Sequence, residues 1–534
     1  MSRFLLSAVC FMVASGFAQN PTAAPSTSEA AYRIAGTVVD SISGAPLNKV
    51  RVLIAPTGQG AAMRTFITAT DGRFWFDKLE ARKYSILAER HGYSAQGYDS
   101  HEQYGTAIVT GSAQKTESLV FRLKPAATIT GHVLDHLGEP LRDATVYLFY
   151  AGLIGGRSTV RHVLTEKTDD LGMYRFQTLP AGKYFVAVYA RPWFHGLAAA
   201  EEMTSAKDGG RSLKALDIAY PLTYFPRETD WRSAQPIALK WGQSSTADFW
   251  LFAAPAIHVQ VGGADEQAQI KLLALPFEVN EIDVRVESQH SDDGDLEFGG
   301  IAPGHYLLQL SLHDRRQLRS DVQWTGDVAV SMQQLLAKPT SATVSGAILF
   351  DDPAYAPQSP EFIMTNLETH AVYRTGIGPG GTITALSVPP GPYEAHVGNA
   401  GRYFVWGVSA EGAQASGTRI DIMRPGRVKL SAVATQSLGT VEGVVKKDGT
   451  PVAGVMVVLV PGNHGNISMY RRDQTDSDGT FTLPSVLPGD YTVFAVSSWE
   501  LEWSNPEVIA KYLAAGTAVR VSGKDTHSVE VKLQ

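Results

Sequence analysis

One short ending recurs along this chain and constrains its fold more than any other feature. Each copy closes on a tyrosine, and a glycine stands two residues before that tyrosine in most copies. The tyrosines are Tyr84, Tyr184, Tyr306, Tyr393 and Tyr491, so successive copies lie 100, 122, 87 and 98 residues apart. Such spacings are typical of small β-sandwiches and exceed the roughly 20–50 residues of solenoid repeats. The chain is therefore predicted to be all-β, a tandem array of about five antiparallel β-sandwich domains.

Each unit also opens on an alternating strand with a glycine inside it. The openings are residues 34–40, 129–135, 441–445 and, in a shorter version, 344–348. A glycine inside a strand indicates a bulge or the close approach of another backbone. Asp-Gly turns follow at residues 70–73, 169–174 and 476–481, and such turns favour hairpins. After the first turn, Trp75 lies between Phe74 and Phe76, so either the tryptophan or both phenylalanines must face the core.

These motifs divide the chain into segments. We predict a signal peptide at 1–18, a linker at 19–30, and sandwiches at 31–124, 125–254, 255–338, 339–436 and 437–534. The third and fourth sandwiches are the more degenerate, and the second carries a loop insertion. Short helices are expected at 198–203, inside that insertion, and at 506–514, where Asn505 can cap the start and Gly516 can stop the end.

The beginning of the chain indicates export. Arg3 precedes a short apolar stretch, and small residues at Gly16 and Ala18 suit cleavage after Ala18. The stretch is too short to span a bilayer, and no later run approaches ~20 apolar residues. Cys10, the chain's one cysteine, leaves with the signal, because Val9 and the short apolar run before it disfavour lipidation. We expect a periplasmic, extracellular or cell-surface protein with no transmembrane segment, disulfide or cysteine-based metal site.

Charge and motif content exclude several functions. A net charge of −7 without a basic block disfavours nucleic acid as a partner. No zinc-peptidase pattern surrounds His91 or His101, and nucleophile elbows and phosphate-binding loops are absent. Asp-rich turns at 476–479 and 291–295 offer oxygen ligands to Ca²⁺, but turns of this kind also punctuate the predicted fold. We expect a non-enzymatic protein with no catalytic residues, no metal and no cofactor.

Taken together, the opening strand, the G-x-P turn, the Asp-Gly turn and the closing tyrosine resemble the carboxypeptidase regulatory-like domain. The first, second and fifth units carry these motifs nearly intact, at residues such as Gly36, Pro46 and Gly72. The resemblance implies a transthyretin-like (prealbumin-like) sandwich of the carbohydrate-binding-like fold group. The whole chain is similar to exported, multi-unit bacterial proteins of this type, which are usually described as non-catalytic accessory or surface modules.

Aromatic residues in loops are the remaining candidates for a ligand site. They follow the tyrosine strands of units one, two and five, and they are Tyr98, Tyr104, Trp193, Phe194, Trp499 and Trp503. Such rings stack on the apolar faces of sugars, and loops at one end of a sandwich commonly form binding sites. The competing interpretation is that the rings cap the ends of the cores.

Three functional hypotheses remain open. The first is binding of a polysaccharide or glycoconjugate outside the cytoplasm. The second is a spacer or adhesion scaffold that recognises proteins through exposed edge strands. The third, which follows from the family resemblance, is an accessory subunit of an exported peptidase or outer-membrane transporter.

Overall fold

A computed structural model describes residues 32–58, 62–111, 114–193, 207–208, 211–212, 217–263, 269–278, 280–290, 295–311, 317–337, 341–352, 357–369 and 371–534. The predicted signal peptide, the linker and the helix at 198–203 lie outside these residues, as does Phe194. No helix of the described residues is long and apolar enough to cross a membrane.

The described chain is all-β, as predicted, and its ten sheets of three or more strands form five successive pairs that we call units 1 to 5. In each unit the opening strand lies inside the first sheet. It runs antiparallel to the strand after the turn and parallel to a strand at the end of the unit. The second sheet is built on an antiparallel pair whose later strand carries the motif tyrosine. The apolar core of each unit fills the space between its two sheets.

Unit 1 has the sheet orders β4-β1-β8 and β3-β2-β5-β6, with β7 also paired to β5. Phe74 and Phe76 are buried while Trp75 is 44% exposed, so the two phenylalanines face the core. The strands are β1 (Tyr32–Asp40), β2 (Arg51–Pro56), β3 (Arg64–Ile67), β4 (Arg73–Leu79), β5 (Lys83–Glu89), β6 (Gln96–Gly97), β7 (Ile108–Val109) and β8 (Leu119–Leu123).

Unit 2 has a long hairpin whose two-residue turn is Gly155-Gly156, both with positive φ, as such tight turns require. This hairpin is β10 (Thr145–Ile154) and β11 (Arg157–Lys167), and β11 is an edge strand. The other strands are β9 (Ala127–Asp135), β12 (Met173–Leu179), β13 (Gly182–Tyr189), β14 (Lys207–Asp208), β15 (Arg211–Ser212), β16 (Ile218–Ala219), β17 (Thr223–Tyr224), β18 (Ile237–Leu239), β19 (Ser244–Thr246), β20 (Phe249–Leu251) and β21 (Ala254–Pro255).

Unit 3 has the sheet orders β25-β26-β22-β29 and β24-β23-β27-β28. A 3-10 turn at Pro276–Glu278 follows its second strand. The elements are β22 (Ile257–Gly262), β23 (Gln269–Ala274), β24 (Ile282–Val284), β25 (Glu287–His290), β26 (Leu296–Ile301), β27 (Gly304–Ser311), β28 (Gln317–Trp324), β29 (Val328–Ser331) and helix α1 (Met332–Ala337).

Unit 4 has the sheet orders β33-β30-β38-β35 and β32-β31-β34-β37-β36. Its core surrounds the fully buried Tyr393. The strands are β30 (Ala342–Phe350), β31 (Glu361–Asn366), β32 (Val372–Gly376), β33 (Thr382–Val388), β34 (Gly391–Gly398), β35 (Phe404–Glu411), β36 (Gln414–Ser416), β37 (Arg419–Ile422) and β38 (Arg427–Thr435).

Unit 5 contains the predicted helix, α2 (Pro506–Leu513), which Asn505 caps by accepting the Glu507 N–H. Ile509 of α2 packs on the outer face of the second sheet, against Val458 and Phe494. The strands are β39 (Gly439–Lys447), β40 (Thr450–Pro451), β41 (Met456–Pro461), β42 (Arg471–Gln474), β43 (Thr480–Val486), β44 (Gly489–Val496), β45 (Thr517–Val521) and β46 (Thr526–Lys532).

The repeated tyrosine has the same role in every unit. Its ring is buried, and its hydroxyl donates to the backbone carbonyl four residues earlier. The five bonds are Tyr84 to Glu80 at 3.3 Å, Tyr184 to Pro180 at 2.9 Å, Tyr306 to Ala302 at 2.7 Å, Tyr393 to Pro389 at 2.6 Å and Tyr491 to Leu487 at 2.7 Å. This is a tyrosine corner, and it fixes the turn that leads into the tyrosine strand.

The glycine of the opening strand permits a close approach between backbones, as predicted. A Cβ on Gly36 would overlap the carbonyl of Leu119 in β8, and a Cβ on Gly443 would overlap the carbonyl of Val529 in β46. Only a residue without a side chain lets the parallel last strand lie this close.

The Asp-Gly turns do not form hairpins, so that expectation is wrong. In unit 1 the turn at Asp71-Gly72 connects β3 of the second sheet to β4 of the first, and the same crossing occurs in units 2 and 5. The aspartate instead orders the start of the next strand, because Asp71 accepts the N–H of Arg73, and Asp478 accepts that of Thr480. A turn's local chemistry sets its φ values but does not say which sheet the next strand joins.

Units 2 and 3 share an apolar joint. Phe277, in the 3-10 turn of unit 3, is 8% exposed and packs on the outer face of the second sheet of unit 2. Its ring centroid lies 4.8 Å from that of Phe185, and rings of the same cluster lie close on other sides, namely Phe149 at 5.1 Å, Trp231 at 5.5 Å and Tyr224 at 5.8 Å. One core cluster therefore runs from unit 2 into unit 3.

The edge of β11 is covered by side chains from other units. Asn280 of unit 3 accepts the N–H of His162 at 2.8 Å and donates to the carbonyl of Val160 at 3.0 Å. Glu502 of unit 5 accepts the N–H of Ser158 at 3.2 Å. Alternate residues of an edge strand present their backbone groups outward, and these are the groups that the two side chains satisfy. Between Ser158 and His162, side chains of other units therefore occupy part of this edge.

Candidate functional site at the junction of units 1, 2 and 5

The last unit returns to the first and binds the free edge at β7. Ser477 donates its N–H to the carbonyl of Ala107 at 2.9 Å, and its Oγ accepts the N–H of Val109 at 2.9 Å. Asp476 Oδ1 accepts the N–H of Ala107 at 3.2 Å. The Asp-rich turn of unit 5 thus takes the place of a neighbouring strand.

Asp476 also pairs with a lysine of unit 1. Lys83 Nζ lies 2.6 Å from Asp476 Oδ2 and 2.9 Å from Thr480 Oγ1. Burial raises the pKa of the Asp476 carboxyl, and the Lys83 ammonium opposes that rise. The carboxylate that the sequence offers as a Ca²⁺ ligand is therefore engaged by an ammonium group. No group of three His, Cys, Asp or Glu able to hold a metal occurs among the described residues.

Gln474 forms the next contact along the same strand. Its buried Nε2 donates to the Asp99 carbonyl at 2.6 Å and to Thr106 Oγ1 at 2.7 Å, while its Oε1 lies 3.2 Å from His101 Nδ1. At the preceding residue, Asp473, burial raises the pKa of the carboxyl group to about 6, although its carboxylate accepts the Thr482 N–H at 2.8 Å.

Arg472 is the centre of the junction. Its side chain is 5% exposed, and its guanidinium pairs with Glu102 of unit 1 at 2.6 Å. The same guanidinium lies over two predicted site rings, with its carbon 4.4 Å from the centroid of Trp503 and 5.0 Å from that of Tyr104. Cation–π contacts of this kind strengthen when they are removed from water.

Trp499 joins the same two units. Its ring stacks on His101 with centroids 4.7 Å apart and planes within 3°, and its Nε1 donates to the Gly454 carbonyl at 3.2 Å.

Unit 2 completes the junction from the other side. The tip of its long hairpin lies against Trp503, where a Cβ on Gly156 would overlap the indole, and Ser504 Oγ donates to the Gly155 carbonyl at 2.6 Å.

An open cavity of about 470 Å³ lies where the three units meet. Unit 1 contributes Glu102, Gln103 and Tyr104, unit 2 contributes Ile154 and Gly155, and unit 5 contributes Tyr470, Arg472 and Trp503. Its size falls within the roughly 300–1,000 Å³ of small-molecule sites, and junctions between domains commonly form such sites. Aromatic faces beside a charged pair and an amide suit a ligand that has apolar faces and hydroxyl groups.

The sequence candidates fall into separate places. Tyr104, Trp499 and Trp503 meet around Arg472. Tyr98 instead packs on the core of unit 1, with its ring centroid 5.6 Å from that of Phe121. Trp193 is 91% exposed beyond the tyrosine strand of unit 2. Phe194 lies outside the described residues.

Sequence reasoning missed three residues that organise the junction, namely Glu102, Arg472 and Gln474. Arg472 and Glu102 are 370 residues apart, and no periodicity or motif links them. One local signal was available. The strand β42 begins with three consecutive charged residues, Arg471, Arg472 and Asp473, whereas the corresponding strands of the other units contain apolar residues as well.

Comparison with known families identifies two of the units. Residues 33–124 match the model of the carboxypeptidase regulatory-like domain. Unit 1 is a carboxypeptidase regulatory-like domain. Residues 438–516, in unit 5, match the second beta sandwich domain of the BOS complex subunit NOMO1-like family. The chain is thus a multi-domain protein that combines a carboxypeptidase regulatory-like domain with NOMO-like sandwiches, as the motifs predicted for the first of these families. Neither matching family model is a catalytic domain.

Among solved structures, the chain is similar to the Bacillus anthracis TIE protein, at 11% identity, 96% coverage of this chain, 75% of that chain and a TM-score of 0.17. It is similar to a streptococcal ancillary pilin, at 12% identity, coverages of 56% and 98% and a TM-score of 0.18. It is also similar to GBS52, a minor pilin of Streptococcus agalactiae, at 12% identity, coverages of 42% and 97% and a TM-score of 0.21. These values carry no information on function. No curated protein matches the chain.

Proposed function

We propose that this protein is an exported, non-enzymatic multi-domain protein that binds a polysaccharide or glycoconjugate at the junction of units 1, 2 and 5. The observation that supports the proposal is the convergence of Tyr104 and Trp503. These two loop aromatics, chosen from the sequence for sugar stacking, are about 400 residues apart and line one open cavity. Glu102 and Gln103 at the same cavity supply groups that can bond to hydroxyls.

The export part of the proposal rests on the signal-like beginning of the chain, and the non-enzymatic part on the two matching families. The direct test is retention of the purified chain by insoluble cellulose, xylan and chitin, together with affinity electrophoresis in soluble laminarin and alginate. We expect retention by at least one polysaccharide and at least tenfold weaker binding by Gln103→Ala combined with Tyr104→Ala. Trp75→Ala, which changes a half-exposed tryptophan elsewhere on unit 1, is the matched control.

Trp193 is retained as a second proposed contact, because its ring is 91% exposed. Loss of binding by Trp193→Ala with unchanged binding by the Gln103→Ala/Tyr104→Ala variant would move the site to the loop of unit 2. Retention by none of the polysaccharides would contradict the proposed function.

A structural scaffold is the second candidate, and a specific observation favours it. The ring of Trp499 stacks on His101 of unit 1, and the ring of Trp503 lies against Gly156 of unit 2, so these aromatics hold the units together whether or not a sugar binds. For a pure scaffold, Trp503→Ala changes the arrangement of the units, measured as the radius of gyration by small-angle X-ray scattering, and no polysaccharide is retained. The covered edge of β11 argues against recognition of proteins through that strand.

A further inference from the structure

The contact between units 1 and 5 combines ion pairs and hydrogen bonds with a small aromatic contact, in which Trp499 stacks on His101. Ion pairs join Lys83 to Asp476 and Arg472 to Glu102, and backbone groups of Ala107 and Val109 bond to the turn of unit 5. Interfaces between domains with this composition resemble transient protein–protein contacts, in which relative motion of the domains is the expected behaviour. The joint is therefore of a kind that can open without unfolding either unit.

The covalent connection of unit 1 to the rest of the chain is short. Only residues 124–126 separate the end of β8 from the start of β9. Near this link, Gly242 donates its N–H to the Pro125 carbonyl at 2.9 Å, and the Lys124 ammonium lies 5.3 Å from the centroid of Trp241. A rotation about this single link moves unit 1 away from unit 5 as one body.

The cavity at the junction loses one wall in that movement. Glu102, Gln103 and Tyr104 all belong to unit 1, whereas Arg472 and Trp503 belong to unit 5. With unit 1 displaced, the guanidinium of Arg472 loses both its carboxylate partner Glu102 and its contact with the ring of Tyr104.

We infer that the saccharide site is a composite site, which docking of unit 1 on unit 5 assembles and which a bound saccharide in turn stabilises in the docked arrangement. This inference rests on the proposed function. A ligand that contacts both walls binds the docked arrangement alone, so it shifts the chain towards docking. The coupling is reciprocal: docking raises the affinity for the saccharide by the same factor by which a bound saccharide favours docking, and a variant loses affinity in proportion to the docked fraction that it loses.

The cavity also restricts the charge of its ligand. Arg472 already pairs with Glu102, and the other cationic group of the lining, Arg471, donates to the backbone carbonyls of Ser468 and Ser485. A carboxylate of the ligand would therefore have to displace existing partners of these guanidinium groups. The ligand class is therefore an uncharged saccharide, with an apolar ring face towards Tyr104 or Trp503 and hydroxyls towards Glu102 and Gln103.

The test breaks the joint at a distance from the cavity. The double variant Lys83→Met/Asp476→Asn removes the ion pair without leaving a single unpaired charge, and neither residue lines the cavity. Arg33→Met, which removes an ion pair with Asp77 inside unit 1, is the matched control. A third variant adds the pair Val109→Cys and Ser477→Cys to the double variant, so that a disulfide can restore docking in a chain with no other cysteine after signal removal.

We expect about tenfold weaker binding of laminarin or xylan by the double variant, a larger radius of gyration, wild-type affinity in the Arg33→Met control, and recovery of affinity when the disulfide forms. Alginate should bind no better than the uncharged probes. Wild-type affinity in the double variant with an increased radius of gyration would overturn the inference and leave the proposed function standing. An unchanged radius of gyration would overturn it as well. Binding of no probe by the wild-type chain would overturn both.

Discussion

Two joints hold units of this protein together, and they differ in whether apolar or polar contacts predominate. Between units 2 and 3, the Phe277 ring lies in a cluster of aromatic rings, and the cores of both units form one apolar cluster. Between units 1 and 5, ion pairs and hydrogen bonds centre on Asp476, Gln474 and Arg472. Burial of apolar surface stabilises a joint by roughly 25 cal/mol per Å². A hydrogen bond exchanged with water contributes only about 0.5–1.5 kcal/mol. On these magnitudes, the joint between units 2 and 3 should be the more stable of the two.

The largest expected effect comes from removing the Phe277 ring from the joint between units 2 and 3. Phe277→Ala should lower the free energy of unfolding of the unit 2–unit 3 body by about 3–5 kcal/mol, because it deletes a buried ring and leaves a cavity. Chemical denaturation followed by tryptophan fluorescence measures the loss. Phe252→Ala, at a phenylalanine that is 60% exposed, is the control and should change stability by less than about 0.5 kcal/mol. Equal losses in the two variants would remove the basis for calling the first joint apolar.

The next effect tests the polar component of the same joint. Asn280→Ala leaves the N–H of His162 and the carbonyl of Val160 without their partner, at a cost of about 1–3 kcal/mol. It should also increase aggregation on heating, measured by light scattering, since the edge of β11 is uncovered. Asn463→Ala, which removes an exposed bond to Ser416, serves as the control. A soluble variant of unchanged stability would show that the edge needs no cover.

A smaller effect depends on pH and concerns unit 5 beside the polar joint. The folded pKa of Asp473, about 6, lies above its unfolded value of 3.8, so the folded state holds the proton more tightly. The contribution of this group to stability is therefore complete below about pH 4 and is lost as pH rises to about 6. The groups that face Asp473 include Asp476, which raises its pKa, and Lys83, which lowers it.

Asp473→Asn removes that dependence. Relative to wild type, the variant should gain about 1–2 kcal/mol in the free energy of unfolding between pH 4.5 and 7.5, as a shift of about two pKa units allows. Denaturation at three pH values measures the difference. Parallel pH profiles for the two proteins would contradict the prediction.

The smallest effect distinguishes the joints by salt. At 1 M NaCl the Debye length is about 3 Å, so the partly exposed Lys83–Asp476 pair weakens by less than about 1 kcal/mol. The rate of disulfide formation in the Val109→Cys/Ser477→Cys chain should fall as salt rises. The free energy of unfolding of the joint at Phe277 should not decrease over the same range of salt. A rate of disulfide formation that does not change with salt would contradict the expected difference between the two joints.

The sequence could predict the fold because its signals are local. The hydroxyl of Tyr84, like those of its four counterparts, donates to a carbonyl four residues earlier. Gly36 indicates that the backbone of another strand lies close to its own strand. The hairpin expectation was wrong for the opposite reason. Which sheet receives β4 is decided by packing of Phe74 and Phe76 into the core, and a turn of four residues carries no information about that.

The candidate site was only partly within reach of the sequence. Tyr104, Trp499 and Trp503 could be selected as loop aromatics, but the two interpretations weighed for them concerned single units. The structure places them between units, because Arg472 and Gln474 of unit 5 bind residues about 370 positions away in unit 1. The predicted domain boundaries and the ligand-stacking roles of all six predicted ring residues stay predictions.

The side chains that cover the edge of β11 are synthesised long after the strand itself. The strand ends at Lys167, whereas Asn280 is made about 110 residues later and Glu502 about 335 residues later. At about 5–20 residues per second, the first cover arrives after roughly 6–22 s and the second after roughly 17–67 s. Throughout that interval an eleven-residue strand presents open backbone groups to other nascent chains. Slow translation or early termination should therefore increase the aggregation of this chain, measured by light scattering or sedimentation of the translation products.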